Sequence, residues 1–427
     1  MKISVIGAGY VGLVTGVGLA KLGNDVVVID TDKQKVDMIN QAKPPFYEEG
    51  LEPLLQDMVG SHLRATTDIG EVINGAEVIF ICVQTYCNQD GHIDLKYVEQ
   101  ASKDIGKTLN NNHHSPVIVV KSTVIPGTTE KLVCPTLECN SAGTLGKNFR
   151  VAFNPEFLRE GKALSDFFNP DRIIIGELDK ASGDILCELY RDFNAPILRV
   201  DLKTAEMIKY ASNAFLATKI SYINEIGNIC KIFGIDVHEV AKGVGLDARI
   251  SPHFLNAGIG FGGSCLPKDV KAIVSAARAA GYQPSLLESV LEVNEKQPLR
   301  LLEMARNKLG VLRDKKIAVL GLAFKPNTDD IRESPALIIV AELLSQGTIV
   351  TVYDPEAMEK TREVFGNKLS YAASVSEAVN GAELVLILTE WEEFKNPTLY
   401  QGKKVIDGRR ILNSEAAASL DYDGICW

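Results

Sequence analysis

The opening segment of the chain restricts its fold more than any other. Ile3 to Ile6 is a short apolar run, Gly7-Ala8-Gly9-Tyr10-Val11-Gly12 follows at once, an apolar helical stretch runs to about Leu22, and Val26 to Ile29 ends in Asp30. Strand, glycine turn, helix and strand in that order make one βαβ unit. Gly7, Gly9 and Gly12 let the backbone turn tightly and approach a pyrophosphate at a helix N-terminus, where unpaired N–H groups and the helix dipole favour an anion. Asp30 stands roughly 20 residues further on, the offset of a carboxylate that accepts from a ribose 2′-hydroxyl. A carboxylate there repels a 2′-phosphate, so the unit reads as a site for NAD rather than NADP. Lys35 has two readings, a cation near the same ribose or adenine and an ordinary exposed helix charge.

Further short apolar runs, Val78 to Val83 and Val117 to Lys121, are bounded by turn residues, as strands covered on both faces are. Their alternation with helices predicts a doubly wound parallel sheet. The pattern returns late in the chain, with Lys316 to Leu320 running into Gly321 and Thr348 to Asp354 as a second strand ending in an acid. Gly75-Ala76-Glu77-Val78-Ile79-Phe80 is echoed by Gly381-Ala382-Glu383-Leu384-Val385-Leu386, and Val28-Ile29-Asp30 by Val352-Tyr353-Asp354. A chain of 427 residues exceeds one ordinary core, so the expectation is an α/β protein with two Rossmann-like doubly wound domains. Between them, Thr204 to Phe233 has no Pro, has Gly227 as its one interior glycine, and carries Ile208, Phe215, Ile220, Ile223 and Ile226 in helical rhythm. Helices are expected to continue through Val270 to Ala280 and Ser285 to Leu309. The predicted organisation is residues 1–200 as the NAD-binding domain, 201–300 as a helical connector and dimerisation region, and 301–427 as the second Rossmann-like domain.

Composition narrows the function. With 46% hydrophobic and 23% charged residues the chain is ordinary globular protein, and its net charge of −10 argues against nucleic acid as a partner. The first residues run straight into a strand, without the charged and apolar regions of a signal peptide, and no apolar run is long enough for a bilayer. Eight cysteines are scattered without a Cys-x-x-Cys pair, which predicts free thiols in a reducing cytoplasm and no metal. Cys82 with Cys87, and Cys134 with Cys139, share a four-residue gap; buried small hydrophobes are the expectation and a metal site the alternative.

The segment Gly258-Ile259-Gly260-Phe261-Gly262-Gly263-Ser264-Cys265-Leu266-Pro267-Lys268-Asp269 is the most informative for chemistry. Its glycines let a backbone lie against a bulky ligand, and they deliver Cys265 to the start of a helix, where the dipole and Lys268 stabilise a thiolate. Lys209 and Asn213, four apart on the connector helix, share a face and place a cation and an amide donor at one oxygen. Asn154-Pro155-Glu156-Phe157-Leu158-Arg159-Glu160-Gly161 adds two carboxylates in a loop after an apolar strand, and Thr123 follows another strand end, where ligands bind in such sheets. The late half lacks the full glycine fingerprint, which predicts a different nucleotide; Lys325 there can act as a point charge on a diphosphate, with Arg332 close by, although the segment by itself reads first as ordinary surface lysine and arginine.

Taken together these residues resemble the UDP-glucose/GDP-mannose dehydrogenase family over essentially the whole chain, and most of all its UDP-glucose-oxidising members. The resemblance rests on the opening fingerprint, Lys121-Ser122-Thr123-Val124-Ile125-Pro126-Gly127-Thr128, the loop from Asn154 to Gly161, Ala205-Glu206-Met207-Ile208-Lys209-Tyr210 through Asn213, Phe254-Leu255-Asn256-Ala257-Gly258, the Cys265 segment, and Phe324-Lys325-Pro326-Asn327-Thr328-Asp329-Asp330. It implies a four-electron oxidation of UDP-glucose at a primary alcohol, with NAD, and with 301–427 as the UDP-sugar-binding domain. It also implies that Cys265 is the nucleophile, that Lys209 and Asn213 hold the oxyanion, and that Asp269, Glu160 and Thr123 handle protons and the hydrolytic water. Tyr10, Val11, Thr85, Thr123, Glu160, Lys268 and Arg332 would join the glycines, Asp30 and Lys35 at the cofactor. Glu156, Phe157, Leu158, Arg159, Glu160, Lys209, Asn213, Phe254, Leu255, Asn256, Ala257, Gly258, Gly262 and Lys325 would contact the sugar nucleotide, and Arg249 would reach the substrate of a partner in a homodimer. Val83-Gln84-Thr85-Tyr86-Cys87 departs from the family pattern, in which Gly and Pro are common around the Thr.

Three rivals share part of the signal. Oxidation of GDP-mannose or of a UDP-N-acetylhexosamine would use Cys265 equally. A non-catalytic NAD-responsive binding protein would need the glycine turn and Asp30 without Cys265, Lys209, Asn213 and Asp269, and a two-electron hydroxyacid dehydrogenase would have no use for the thiol.

Overall fold

Strand residues sort onto two faces with period two, and that alternation builds the core of the N-terminal half. Ile3, Val5, Val78, Phe80, Val117 and Val119 belong to one buried cluster, whereas Ile79, Ile81, Ile118 and Val120 belong to another, so the sheet carries a core on each face. The structure is a computed structural model that describes residues 1–73, 75–88, 90–109 and 115–427. It divides into two compact units, Met1–Ser212 and Asn213–Trp427.

The first unit contains β1 (Lys2–Ile6), β2 (Asp25–Ile29), β3 (Leu63–Thr66), β4 (Val78–Ile81), a small hairpin of β5 (Tyr86–Cys87) and β6 (Ile93–Asp94), then β7 (Val117–Val120), β8 (Arg150–Phe153), β9 (Ile173–Glu177) and β10 (Ile197–Asp201). Among the described residues eight of these form one sheet in the order β10-β9-β8-β7-β4-β1-β2-β3. Neighbours are parallel except β8 and β9, which run antiparallel. Strand order reverses between β1 and β4, the switch point beyond whose strand C-terminal ends ligands bind in sheets of this kind. β4 and β7 stop one or two residues earlier than the apolar runs suggested, which leaves Cys82, Val83 and Lys121 just past the strand ends.

The second unit contains β11 (Lys316–Leu320), β12 (Ile349–Tyr353), β13 (Ser370–Tyr371), β14 (Leu384–Ile387), β15 (Lys404–Asp407) and β16 (Asp421–Gly424). Its sheet runs β13-β12-β11-β14-β15-β16 and reverses between β11 and β14, as the first does between β1 and β4. The echoed sequence strings occupy matching places: Val78 pairs with Ile3, and Leu384 pairs with Ile317. The expectation of two Rossmann-like sheets is therefore borne out. Helices cover Leu202–Phe233, within which the boundary between the units falls, and Val237–Gly245, Leu266–Ala279 and Ser285–Leu309.

The expectation of buried cysteines fails in part. Cys82 and Cys134 are buried, Cys87 is half-exposed and Cys139 is exposed. Cys134 and Cys139 lie on one helix, Cys134–Asn140, and five residues carry a side chain roughly 140° round the axis, so one thiol faces the core and the other does not. Among the described residues no helix is long and apolar enough to cross a membrane.

Candidate active site

The glycine turn is closed by contacts of its own backbone. Gly7 has φ +102°, and a Cβ there would lie 2.6 Å from the Cys82 carbonyl oxygen; a Cβ on Gly12 would lie 1.8 Å from the Gly7 oxygen. At Gly9 a Cβ would meet nothing within 4 Å. Two of the glycines thus permit the turn and the third leaves open space before it. Gly9 caps the helix Tyr10–Lys21 without a side-chain hydrogen bond, and the first turn carries no acid, so the helix N-terminus offers its N–H groups to an anion. Asp30 accepts from Ala8 N at 2.7 Å and from Asp32 N at 2.9 Å, which holds its carboxylate against the turn. These residues fit a dinucleotide. Lys35, half-buried, lies in the first turn of the helix Lys33–Asn40, whose N-cap is Asp32.

A residue that the sequence did not single out ties this turn to the loop after β8. Glu48, buried, accepts the Tyr10 hydroxyl, Gly161 N at 2.7 Å and Ala163 N at 2.6 Å, while the Tyr10 hydroxyl accepts from Gly161 N at 2.8 Å. Burial first, then the Glu48 carboxylate, pushes the Tyr10 hydroxyl far up, so Tyr10 keeps its proton and donates. In the same loop Arg159 makes a bidentate pair with Asp166, and the Arg172 guanidinium stacks 3.9 Å from the Phe157 ring centroid. Leu158 and Glu160 are half-buried.

Lys209 and Glu156 form a buried ion pair. Lys209 Nζ donates to Glu156 Oε1 at 2.8 Å and to the Glu156 carbonyl at 2.7 Å, with side chains 4% and 7% exposed. Burial alone would raise Glu156; the charge and hydrogen bond of Lys209, the Leu158 N–H and the Lys121 charge outweigh it and hold the carboxyl below its usual value. Thr123, half-buried past the end of β7, accepts on its carbonyl from the Thr85 hydroxyl at 3.1 Å, so the segment that departs from the family pattern is still fastened to the residues after β7.

In the second unit Cys265 is the N-cap of the helix Leu266–Ala279 and half-buried, with Ser264 Oγ 3.5 Å from its sulfur. One turn on, Asp269 is 1% exposed and accepts from Lys268 Nζ at 2.7 Å and Asn213 Nδ2 at 2.6 Å. The structure therefore gathers Cys265, Lys268, Asp269 and Asn213, and engages the Asn213 amide with a carboxylate, as it does Lys209 in the first unit.

The glycines ahead of Cys265 each approach another part of the chain closely. A Cβ at Gly258 would lie 2.7 Å from the Gly408 oxygen, at Gly260 2.7 Å from Asn294 Oδ1, at Gly262 2.3 Å from the Glu333 oxygen, and at Gly263 2.7 Å from the Phe324 ring. The segment packs against the chain's own backbone and side chains, and that close packing leaves no room for a Cβ at these positions. Of its neighbours, Leu255 and Ala257 are buried, Phe254 is half-buried with φ +64°, and Asn256 is exposed. Gly258 is fixed by Asn224 Oδ1 on its N–H and Gln297 Nε2 on its carbonyl. Arg249 is 89% exposed and pairs with Asp247.

The second sheet reuses its acid differently. Asp354, 1% exposed, accepts from Leu322 N, Ala323 N, Glu356 N, Ala357 N and Trp391 Nε1. Five donors leave it little capacity for a ribose, which accords with a nucleotide held in another way. Lys325 Nζ stands 5.4 Å from the Phe324 ring centroid, and the Arg332 guanidinium is bound by Asp330.

The doubly wound sheet, its glycine turn and the carboxylate beside it define an NAD-binding enzyme of the Rossmann class. Three models of one family match in order: the NAD-binding domain over residues 1–194, the central domain over 203–296 and the UDP-binding domain over 318–414. The chain belongs to the UDP-glucose/GDP-mannose dehydrogenase family. It is 43% identical to a UDP-glucose 6-dehydrogenase of Haloferax volcanii, with 100% of each chain covered, and 39% identical to a GDP-mannose 6-dehydrogenase of Pseudomonas putida, again with 100% of each covered. A solved UDP-glucose dehydrogenase of Pyrobaculum islandicum superposes with a TM-score of 0.95 at 42% identity, covering 100% of this chain and 97% of that one. The chain is an NAD-dependent oxidoreductase whose substrate is a nucleotide sugar.

Proposed function

We propose that this protein oxidises UDP-glucose to UDP-glucuronate through a covalent intermediate on Cys265. The observation that carries the reading is the place of that thiol, at the N-terminus of a helix and one turn from a buried, hydrogen-bonded Asp269. A primary alcohol, two NAD and one water give a carboxylate, two NADH and three protons, which balances atoms and the four electrons. NAD, when bound, supplies the hydride acceptor. Cys265 sulfur adds to the aldehyde carbon, and the oxygen that gains negative charge is held by Lys209 and Asn213. Oxidation of that adduct leaves a thioester; water adds to its carbon, the C–S bond breaks and the thiolate is restored. Thr123 helps hold the water, and the Asp269 and Glu160 carboxylates take up its protons.

The division of labour follows the sequence. Residues 1–200 hold NAD through Gly7, Gly9, Tyr10, Val11, Gly12 and Asp30, with Lys35, Thr85, Thr123 and Glu160 beside it, and Lys268 and Arg332 contributing from later in the chain. Residues 301–427 hold the UDP part through Lys325, and the loops at Glu156 to Glu160 and Phe254 to Gly258, with Gly262, hold the sugar nucleotide. Incubation with UDP-glucose and excess NAD should yield two NADH per sugar. One NADH per sugar would sink the four-electron route, and faster turnover of GDP-mannose or UDP-N-acetylglucosamine would move the protein to a sister activity.

The protein acts in the cytoplasm as a homodimer. Free cysteines support the first statement. The second is supported by Phe215, Tyr222 and Ile229, seven apart and exposed on one helix, continued by Ile232 at 80% and Phe233 at 72% exposure. Leu286 and Leu299 add exposed apolar surface on the helix Ser285–Leu309. Residues 201–300 would supply the interface, from which Arg249 reaches the partner's substrate. Sedimentation equilibrium should give twice the 46.5 kDa chain mass, and Ile232→Glu with Phe233→Glu should halve it. A wild-type particle of single-chain mass would remove this reading.

A further inference from the structure

A buried cation outside the residues assigned above deserves an explanation of its own. Lys121, the first residue past β7, is 6% exposed. Its ammonium donates to Asn154 Oδ1 at 2.8 Å and lies 3.5 Å from the Asn154 carbonyl, with the Phe80 ring centroid 5.7 Å away. Asn154 is held from two further sides, since Oδ1 also accepts the Tyr190 hydroxyl at 2.7 Å and Nδ2 donates to the Ile174 carbonyl at 2.8 Å. Two residues along the same backbone, the Glu156 carbonyl and carboxylate receive Lys209. Burying an ammonium without a carboxylate in contact costs free energy that an apolar side chain of similar volume would not cost. The charge is therefore retained against stability.

We propose that Lys121 is a positioning residue: its ammonium clamps Asn154 and so fixes the Asn154–Glu156 backbone on which Lys209 is seated. The proposal rests on Lys209 holding the oxyanion. Charge-assisted hydrogen bonds are about twice as strong as neutral ones, and a neutral amine keeps two N–H donors, so loss of the proton loosens the clamp without releasing it. Burial pushes Lys121 down to about 8; Cys82 and Glu156 oppose that and Lys209 adds to it. The titratable groups that face it are Cys82 from the end of β4, Glu156, Lys209 and, across Asn154, Tyr190. Burial pushes Cys82 up to about 12 and Tyr190 higher still, while Glu156 is held low, so those three titrate away from pH 8. The folded value lies below the ~10.4 of an unfolded lysine, so stability rises with pH between about 8 and 10, and below 8 the charged side chain weighs against folding.

The test compares Lys121→Met and Lys121→Arg with wild type, using NAD and UDP-glucose. In wild type kcat should step down through pH about 8 to a lower plateau. Lys121→Met should stay at least as heat-stable at pH 7, lose kcat by roughly 10- to 100-fold as misplaced groups do, and leave the KM for NAD within about twofold. Lys121→Arg, which stays charged, should keep most of kcat and abolish the step. A step that survives Lys121→Arg, or an Lys121→Met enzyme with wild-type kcat, overturns the proposal. Lysine labelled with 13C at Cε separates it from the reading of Lys209: the Lys209 resonance should move in Lys121→Met whatever the turnover, and an unmoved resonance also overturns it. Full turnover in Lys209→Met would instead sink the oxyanion reading.

Discussion

Cys265→Ser should lower the rate of uronate formation by on the order of 10³-fold or more, with the yield of two NADH per UDP-glucose lost. Sulfur and oxygen differ little in size, and the site is half-buried at a helix start, so the change tests chemistry with little disturbance of packing. A hydroxyl at neutral pH is a weak nucleophile, whereas a thiol is a few per cent ionised even unassisted, and a helix N-terminus raises that fraction. Asp269 keeps its bonds to Asn213 and Lys268 in the variant, because none of them passes through the sulfur. Unfolding curves of the two proteins should therefore coincide while turnover separates them. Intact-protein mass spectrometry during turnover should show a covalent adduct in wild type and none in the variant. Equal turnover would remove the thioester from the mechanism and leave hydration of the aldehyde as the route to the second oxidation.

What the sequence revealed depended on the range over which it is encoded. The Gly7 to Gly12 turn and Asp30 are local: the turn meets its acid twenty-two residues on, within one βαβ unit, where Ala8 N donates to Asp30. Ser285–Leu309 was legible to both ends because its pattern is contiguous. The antiparallel entry of β9 beside β8 was not, since a short apolar run carries no sign of its direction. Glu48 was missed because its partner Gly161 lies 113 residues away, and an acid in a loop gives no local signal of burial. The glycines before Cys265 were seen, but their contacts with Gly408, Asn294, Glu333 and Phe324 were not, because those form only in the folded unit. Asp354 shows that a correct echo of sequence does not carry its use with it, as the same place at a strand end holds a carboxylate spent on five internal donors.

Lys209→Met should cost about 3–5 kcal/mol of stability at pH 7, as breaking one side of a buried ion pair does, besides lowering kcat. Neither partner has water to fall back on, at 4% and 7% exposure, so the Glu156 carboxylate would be left with the Leu158 N–H and the more distant Lys121 charge. That remaining support favours the lower end of the range. The pH dependence supplies the sharper test. In wild type Glu156 sits below its unfolded value of ~4.3, so its contribution is fully present above that pH and is lost as pH falls through the folded value. In the variant burial, the largest influence on Glu156, is no longer outweighed by Lys209, and the folded carboxyl should lie above its unfolded value. Its contribution then has the opposite slope, with stability falling as pH rises from about 4.3 through the new folded value. The gap between the two proteins in urea unfolding should accordingly be widest at pH 7 and narrow towards pH 4.5. A gap that does not change with pH would mean that Glu156 is not held ionised by Lys209. Adding Glu156→Gln to Lys209→Met removes the stranded charge and should recover part of the loss, since the cost lies in an unpaired carboxylate more than in the absent pair.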